Sequence, residues 1–76
     1  MRQPPITEEM VRERIAKNVR ELRKKLGLTL KRAADRAEMH WRHWQRVEAA
    51  DVTVTLLTLV RLCDALNVEP RELFAG

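Results

Sequence analysis

The stretch Thr29-Leu-Lys-Arg-Ala-Ala-Asp-Arg-Ala-Glu-Met-His-Trp-Arg-His-Trp-Gln-Arg-Val-Glu-Ala49 decides the fold. Thr29 is placed as an N-cap, a hydroxyl that accepts from the free amides at a helix start. A short helix follows over residues 30–37. Ala33, Ala34 and Ala37 are its inward positions, small enough to let another helix approach closely. Glu38 and Met39 make a brief turn. A second short helix then runs over 41–49, with Trp44 and Val47 facing inward three residues apart.

Helices flank this pair on both sides. Upstream, Thr7 followed by Glu8 and Glu9 is a helix start, a cap with acids at the positive end of the dipole. Val11, Ile15, Val19, Leu22 and Leu26 then recur at helical spacing and form one face. Arg12, Arg14, Lys17, Arg20 and Arg23 occupy the other. Gly27 ends this helix, with Lys24 and Lys25 in its last turn. Downstream, 50–54 is a loop and Thr55 caps a helix ending near Leu66. Leu56, Leu59, Val60, Cys63 and Leu66 are its expected buried face. Asn67 terminates it through a left-handed cap. Pro70 opens a last short helix that Leu73 and Phe74 pack back. The expectation is an all-α bundle of five helices forming one domain over 7–76, preceded by a flexible arm at 1–6 that contains Pro4 and Pro5.

A chain of 76 residues holds one domain, with a core that suffices only if the helices pack well. Gly and Pro are scarce, which favours helices over a turn-rich β fold. The net charge of +4 permits a polyanionic partner without demanding one; a solvated surface kept away from zero charge explains it equally well. The single cysteine, Cys63, cannot form an intramolecular disulfide. With no signal peptide and no apolar run long enough for a bilayer, the chain reads as cytoplasmic.

Two short helices joined by a tight turn inside a bundle are the helix-turn-helix arrangement, whose second helix fits the major groove of DNA. In detail the sequence resembles the Cro/lambda-repressor-like (XRE-type) helix-turn-helix family. The resemblance rests on Leu22-Arg-Lys-Lys-Leu-Gly-Leu-Thr29, Ala34-Asp-Arg-Ala37, Val47-Glu48, Thr55-Leu56 with Leu59 to Leu62, and Ala65-Leu-Asn-Val68 followed by Glu72-Leu-Phe74. It covers about residues 10–75 without a gap. The motifs are loose one by one, and their order and spacing together are specific to the fold.

The resemblance implies roles at matched positions. His40 caps the recognition helix. Trp41, Arg42 and His43 form its first turn, which faces bases and phosphates. Arg46 is a second base-reading position one turn on, with Gln45 beside it nearer the backbone. Leu30 and Lys31 stand where the second helix meets a phosphate. Arg23 and Glu48 match a salt bridge between the first and third helices. Arg42 and Arg46 are four apart and share a face, and a guanidinium can bond guanine O6 and N7 together. The bland alternative for both is a solvated arginine.

Other residues carry weaker signals. Trp41 lies off the inward stripe and fits a thymine methyl, the sugar-phosphate edge or a protein interface. His40 and His43 are three apart, but no third ligand is evident, so no metal or other cofactor is expected. Neither histidine has a nucleophile nearby that suggests catalysis. The chain holds no Gly-rich phosphate loop and no acid–base pair with a pocket, and it is not expected to be an enzyme. Cys63 reads as a small core residue.

The sequence departs from the family pattern in ways that weaken phosphate anchoring, the term that dominates affinity for DNA. Leu30 replaces the usual glutamine, Glu38 the usual turn glycine, and Val54 the usual proline. Ala49-Ala50-Asp51 stands where glycine and basic residues are common. Lys31 and Arg32 partly compensate. The first functional expectation is a sequence-specific transcription regulator, homodimeric on a palindromic operator, with Leu57 a candidate for the dimer interface. The second is a protein-interaction module on the same fold, contacting a protein partner through Trp41, Leu30 and Leu57. Phage repressors, restriction-modification controllers and antitoxins are relatives of this size, and the sequence does not separate them.

Overall fold

Residues 3–76 are described by a computed structural model of the chain. The arm expected at 1–6 falls partly on Met1 and Arg2, outside the described residues; Gln3 to Ile6 are exposed and without regular secondary structure. Five helices follow: α1 (Glu8–Lys25), α2 (Leu30–Arg36), α3 (Trp41–Glu48), α4 (Leu56–Leu66) and α5 (Pro70–Leu73). No strand occurs among the described residues.

Each of the first four helices begins on a side chain that closes its free amides. Thr7, Thr29 and Thr55 accept through Oγ1 from the N–H groups of Met10, Arg32 and Thr58, each at 3.1 Å. His40 Nδ1 accepts from the N–H of Arg42 at 3.1 Å and does the same for α3. The same four helices end alike. A residue with positive φ follows the last turn, at Gly27 (72°), Glu38 (53°), Ala50 (57°) and Asn67 (56°). The next residue's N–H reaches back five positions, as in Met39 to the Ala34 carbonyl and Asp51 to the Arg46 carbonyl, both 3.0 Å. This is the Schellman closure.

The core forms where α1 packs on α3, α4 and α5, and the small face of α2 closes it against α3 and α4. Trp44, Leu62, Leu66, Leu73, Val19 and Val47 are its largest fully buried side chains. Ala33, Ala34 and Ala37 are buried with them, so the α2 backbone comes close to its neighbours. Trp44, the largest of them, anchors α3 in the core by its inner face.

Three expectations about faces are corrected. On α4, Leu56 is 81% and Val60 64% exposed, while Thr58, Leu62 and Ala65 are buried beside Cys63 and Leu66. Eight of the eleven residues in Leu-Leu-Thr-Leu-Val-Arg-Leu-Cys-Asp-Ala-Leu are apolar, so several stripes can be traced, and packing against α1, α2 and α5 selects among them. Thr58 tolerates burial because its hydroxyl accepts from Thr55 Oγ1 at 3.0 Å. On α1, Leu26 is exposed because it lies beyond the last turn, and Arg23 turns inward instead of joining the basic face. On α5, Leu73 is fully buried but Phe74 is exposed; the segment is held instead by Asn18, whose Nδ2 donates to the carbonyls of Leu73 and Ala75 at 2.8 Å.

Candidate nucleic-acid interface

α3 has two chemically distinct faces. Trp44 and Val47 anchor the inner one. Arg42, Gln45 and Arg46 are exposed on the outer one, and Trp41 and His43 are half-buried at its margin. The inner anchoring is reinforced at the C-terminal end. Arg23 of α1 meets both carboxylate oxygens of Glu48, Nε to Oε2 at 2.5 Å and Nη2 to Oε1 at 3.0 Å. Trp44 Nε1 donates to the same carboxylate at 2.6 Å, and Arg23 Nη1 to the Leu28 carbonyl at 2.9 Å. The bidentate bond to Glu48 holds the Arg23 guanidinium charged, raising its pKa against the opposing effect of burial. One carboxylate thus ties α1, the core indole and the end of α3 into a single unit.

The N-terminal end of α3 carries a second cluster. The His40 ring stacks on Trp41 with centroids 5.7 Å apart, and the Arg42 guanidinium carbon lies over the Trp41 ring, 5.4 Å from its centroid. Nothing in the residue spacing signalled this arrangement. Further along, Arg46 Nε approaches the Asp51 carboxylate at 3.8 Å, with both side chains exposed.

α2 adds Lys31 and Arg32, both exposed at its start. Leu30, between the cap and Lys31, packs half-buried against the core. Arg61 of α4 reaches the turn between the two helices, its Nη1 donating to the Glu38 carbonyl at 3.3 Å. That contact, like the Asn18 clamp, joins residues far apart in sequence that no local pattern pairs. Leu57 is 59% exposed on α4, remote in sequence from the α3 face.

No group of three or more His, Cys, Asp or Glu is placed to hold a metal ion among the described residues, nor is any helix long and apolar enough to cross a membrane. Cys63 is buried, and desolvation, helped by the charge of Glu72, pushes its thiol pKa up, which keeps it protonated and inert at neutral pH.

Two short helices joined by a tight turn, the second fixed on one face by an indole and a part-buried ion pair and offering two arginines and a glutamine on the other, make a helix-turn-helix domain. The chain belongs to the helix-turn-helix family of DNA-binding domains, whose profile matches residues 14–75. Among solved structures, it is similar to the restriction-modification controller protein C.AhdI from Aeromonas hydrophila, with 32% identity and a TM-score of 0.80 over 83% of this chain and 96% of that one. An HTH_3 family transcriptional regulator from Vibrio cholerae is 25% identical with a TM-score of 0.85, over 90% of this chain but only 38% of that one. The clp gene regulator ClgR from C. glutamicum shares the fold, at 21% identity and a TM-score of 0.78 over 92% of this chain and 86% of that one. No curated protein sequence matches the chain.

Proposed function

We propose that this protein is a sequence-specific transcription regulator that inserts α3 into the major groove and binds a palindromic operator as a homodimer. The observation that carries the reading is the division of α3 into a locked inner face and a free outer face bearing Arg42, Gln45 and Arg46. Each arginine can bond O6 and N7 of a guanine, a contact that discriminates against other bases by about 1–3 kcal/mol. Lys31, exposed at the start of α2, supplies a phosphate contact that helps set the register, and His43 and Gln45 would meet the edge of the groove. Trp41 belongs to the same surface. The similarity to a restriction-modification controller and to transcriptional regulators supports the regulator role.

Homodimerisation rests on α4. Leu56, Leu57 and Val60 are exposed together on about one and a half turns, an apolar patch with no structural task inside the monomer. Two copies joined there would present two α3 helices to half-sites about one helical turn apart.

The test is selection of bound duplexes from a random DNA pool, followed by titration of the winner at several salt concentrations. Enrichment of a palindrome is expected, with affinity falling steeply as salt rises. Arg42→Ala and Arg46→Ala should each lose discrimination at one base pair per half-site while melting like the parent. If both variants bind the selected site as the parent does, α3 is not the reading element. A pool without enrichment, bound weakly throughout, would favour a protein-interaction module using the α4 patch.

A further inference from the structure

The cluster at the start of α3 gives Trp41 a task distinct from touching DNA. We infer that Trp41 is a specificity-determining positioning residue: its ring holds the Arg42 guanidinium in the place from which Arg42 reads a base. This rests on the base-reading role proposed above for Arg42.

Three contacts converge on the Trp41–Arg42 pair. His40 Nδ1 takes the backbone N–H of Arg42 and fixes where its side chain starts. The Arg42 guanidinium lies over the face of Trp41. Trp41 is itself held, stacked by His40 and packed half-buried against the core. An arginine on an exposed helix face otherwise samples many rotamers, and ordering them on binding opposes affinity. A guanidinium resting on an aromatic face keeps its N–H edge free, because stacking uses the plane and hydrogen bonding uses the rim. Trp41 therefore restricts Arg42 before DNA arrives without consuming its donors. Arg46, one turn on, has no such platform; its neighbour is the exposed carboxylate of Asp51, which competes for the donors. The two arginines are thus unequal, and the base pair read by Arg42 should be the more sharply specified.

The consequence is an energetic coupling between Trp41 and Arg42 that appears only at the base pair Arg42 reads. An exposed cation–π contact corresponds to about two- to fivefold in affinity. Trp41→Phe keeps a π face; Trp41→Leu keeps apolar bulk without one. The experiment compares the parent, both Trp41 variants, Arg42→Ala and the Trp41→Leu/Arg42→Ala double variant. Each is titrated on the selected duplex and on duplexes altered one base pair at a time, with folding checked by melting. The proton shifts of the Arg42 side chain are recorded in the DNA-free protein.

In the free parent, the Arg42 δ protons should show ring-current shifts that Trp41→Phe retains and Trp41→Leu erases. Trp41→Leu should lose about two- to fivefold of discrimination at the Arg42 base pair and nothing elsewhere. On the Arg42→Ala background it should have no further effect there. Unshifted Arg42 protons in the parent overturn the inference without any DNA measurement. Equal losses from Trp41→Leu with and without Arg42 overturn it too, and make Trp41 a direct contact or a purely structural residue. If Arg42→Ala leaves every base preference intact, the base-reading role itself fails, an outcome visible in that single variant.

Discussion

At the residue scale the most consequential group is the Glu48 carboxylate. It accepts from Arg23 through two bonds and from the indole of Trp44, in a place where the two charged side chains are only 13% and 9% exposed. The pair's value lies in remaining whole, since removing one partner strands the other charge out of water. Glu48→Ala should therefore cost about 3–5 kcal/mol in denaturant unfolding. Replacing the pair with apolar residues, as in Arg23→Met with Glu48→Leu, should recover part of that. Recovery should fall short by about 1–3 kcal/mol, because Trp44 Nε1 is left buried without an acceptor. A double variant as unstable as Glu48→Ala alone would show that the ion pair contributes more than its own desolvation takes away. Asp51 is the opposite case, an exposed carboxylate whose pairing with Arg46 adds little to stability but sets a negative charge beside the proposed reading face. Asp51→Asn should leave melting unchanged and raise DNA affinity by up to about fivefold at low salt, the upper range of an exposed ion pair. That gain should fade as salt rises.

At the element scale, four helices share one closing geometry but not one closing residue. Gly27 and Asn67 adopt the left-handed conformation readily, whereas Glu38 and Ala50 hold φ of 53° and 57° with a Cβ in the way. Ala50→Gly relieves that strain at the cost of a more flexible unfolded chain. The balance should be a stabilisation of about 0.5–1 kcal/mol, or several degrees in melting temperature. No change in melting would mean that the strain at Ala50 is no larger than the entropy glycine adds to the unfolded chain. These ends also explain what could be read without coordinates. Thr7, Thr29 and Thr55 announced their helices because a cap is a local interaction, satisfied within a few residues of the hydroxyl. Trp44 and Val47 were legible because α3 has few other apolar residues from which to build an inward face. α4 misled for the converse reason: an excess of leucine and valine leaves the choice of face to neighbours distant in sequence. The same limit hid Arg61 on the turn carbonyl and the stacking around Trp41, both set by side-chain geometry that residue spacing does not encode.

At the scale of the whole molecule, the corrected face of α4 acquires a meaning. Leu56, Leu57 and Val60 would give the centre of the proposed interface, though far less than the roughly 800 Å² per partner of a standard stable one. A dimer built there should be weak in free solution and strengthened on DNA, where two half-sites hold two copies side by side. Leu57 is the residue to change, since it is exposed and its replacement disturbs no buried contact of the monomer. Leu57→Glu should melt like the parent and sediment as a monomer at concentrations where the parent associates. Its affinity for an isolated half-site should be unaltered, because α3 is untouched. On the full operator it should lose the advantage of paired binding, about a hundredfold or more. Salt supplies an independent check. The slope of log affinity against log salt counts neutralised phosphates, about 0.9 for each on duplex DNA. A dimer neutralises twice as many as one copy, so the parent's slope on the operator should be about double that of Leu57→Glu on a half-site. Equal slopes, with unchanged operator affinity, would show that one copy suffices for recognition and that the α4 patch serves a different partner.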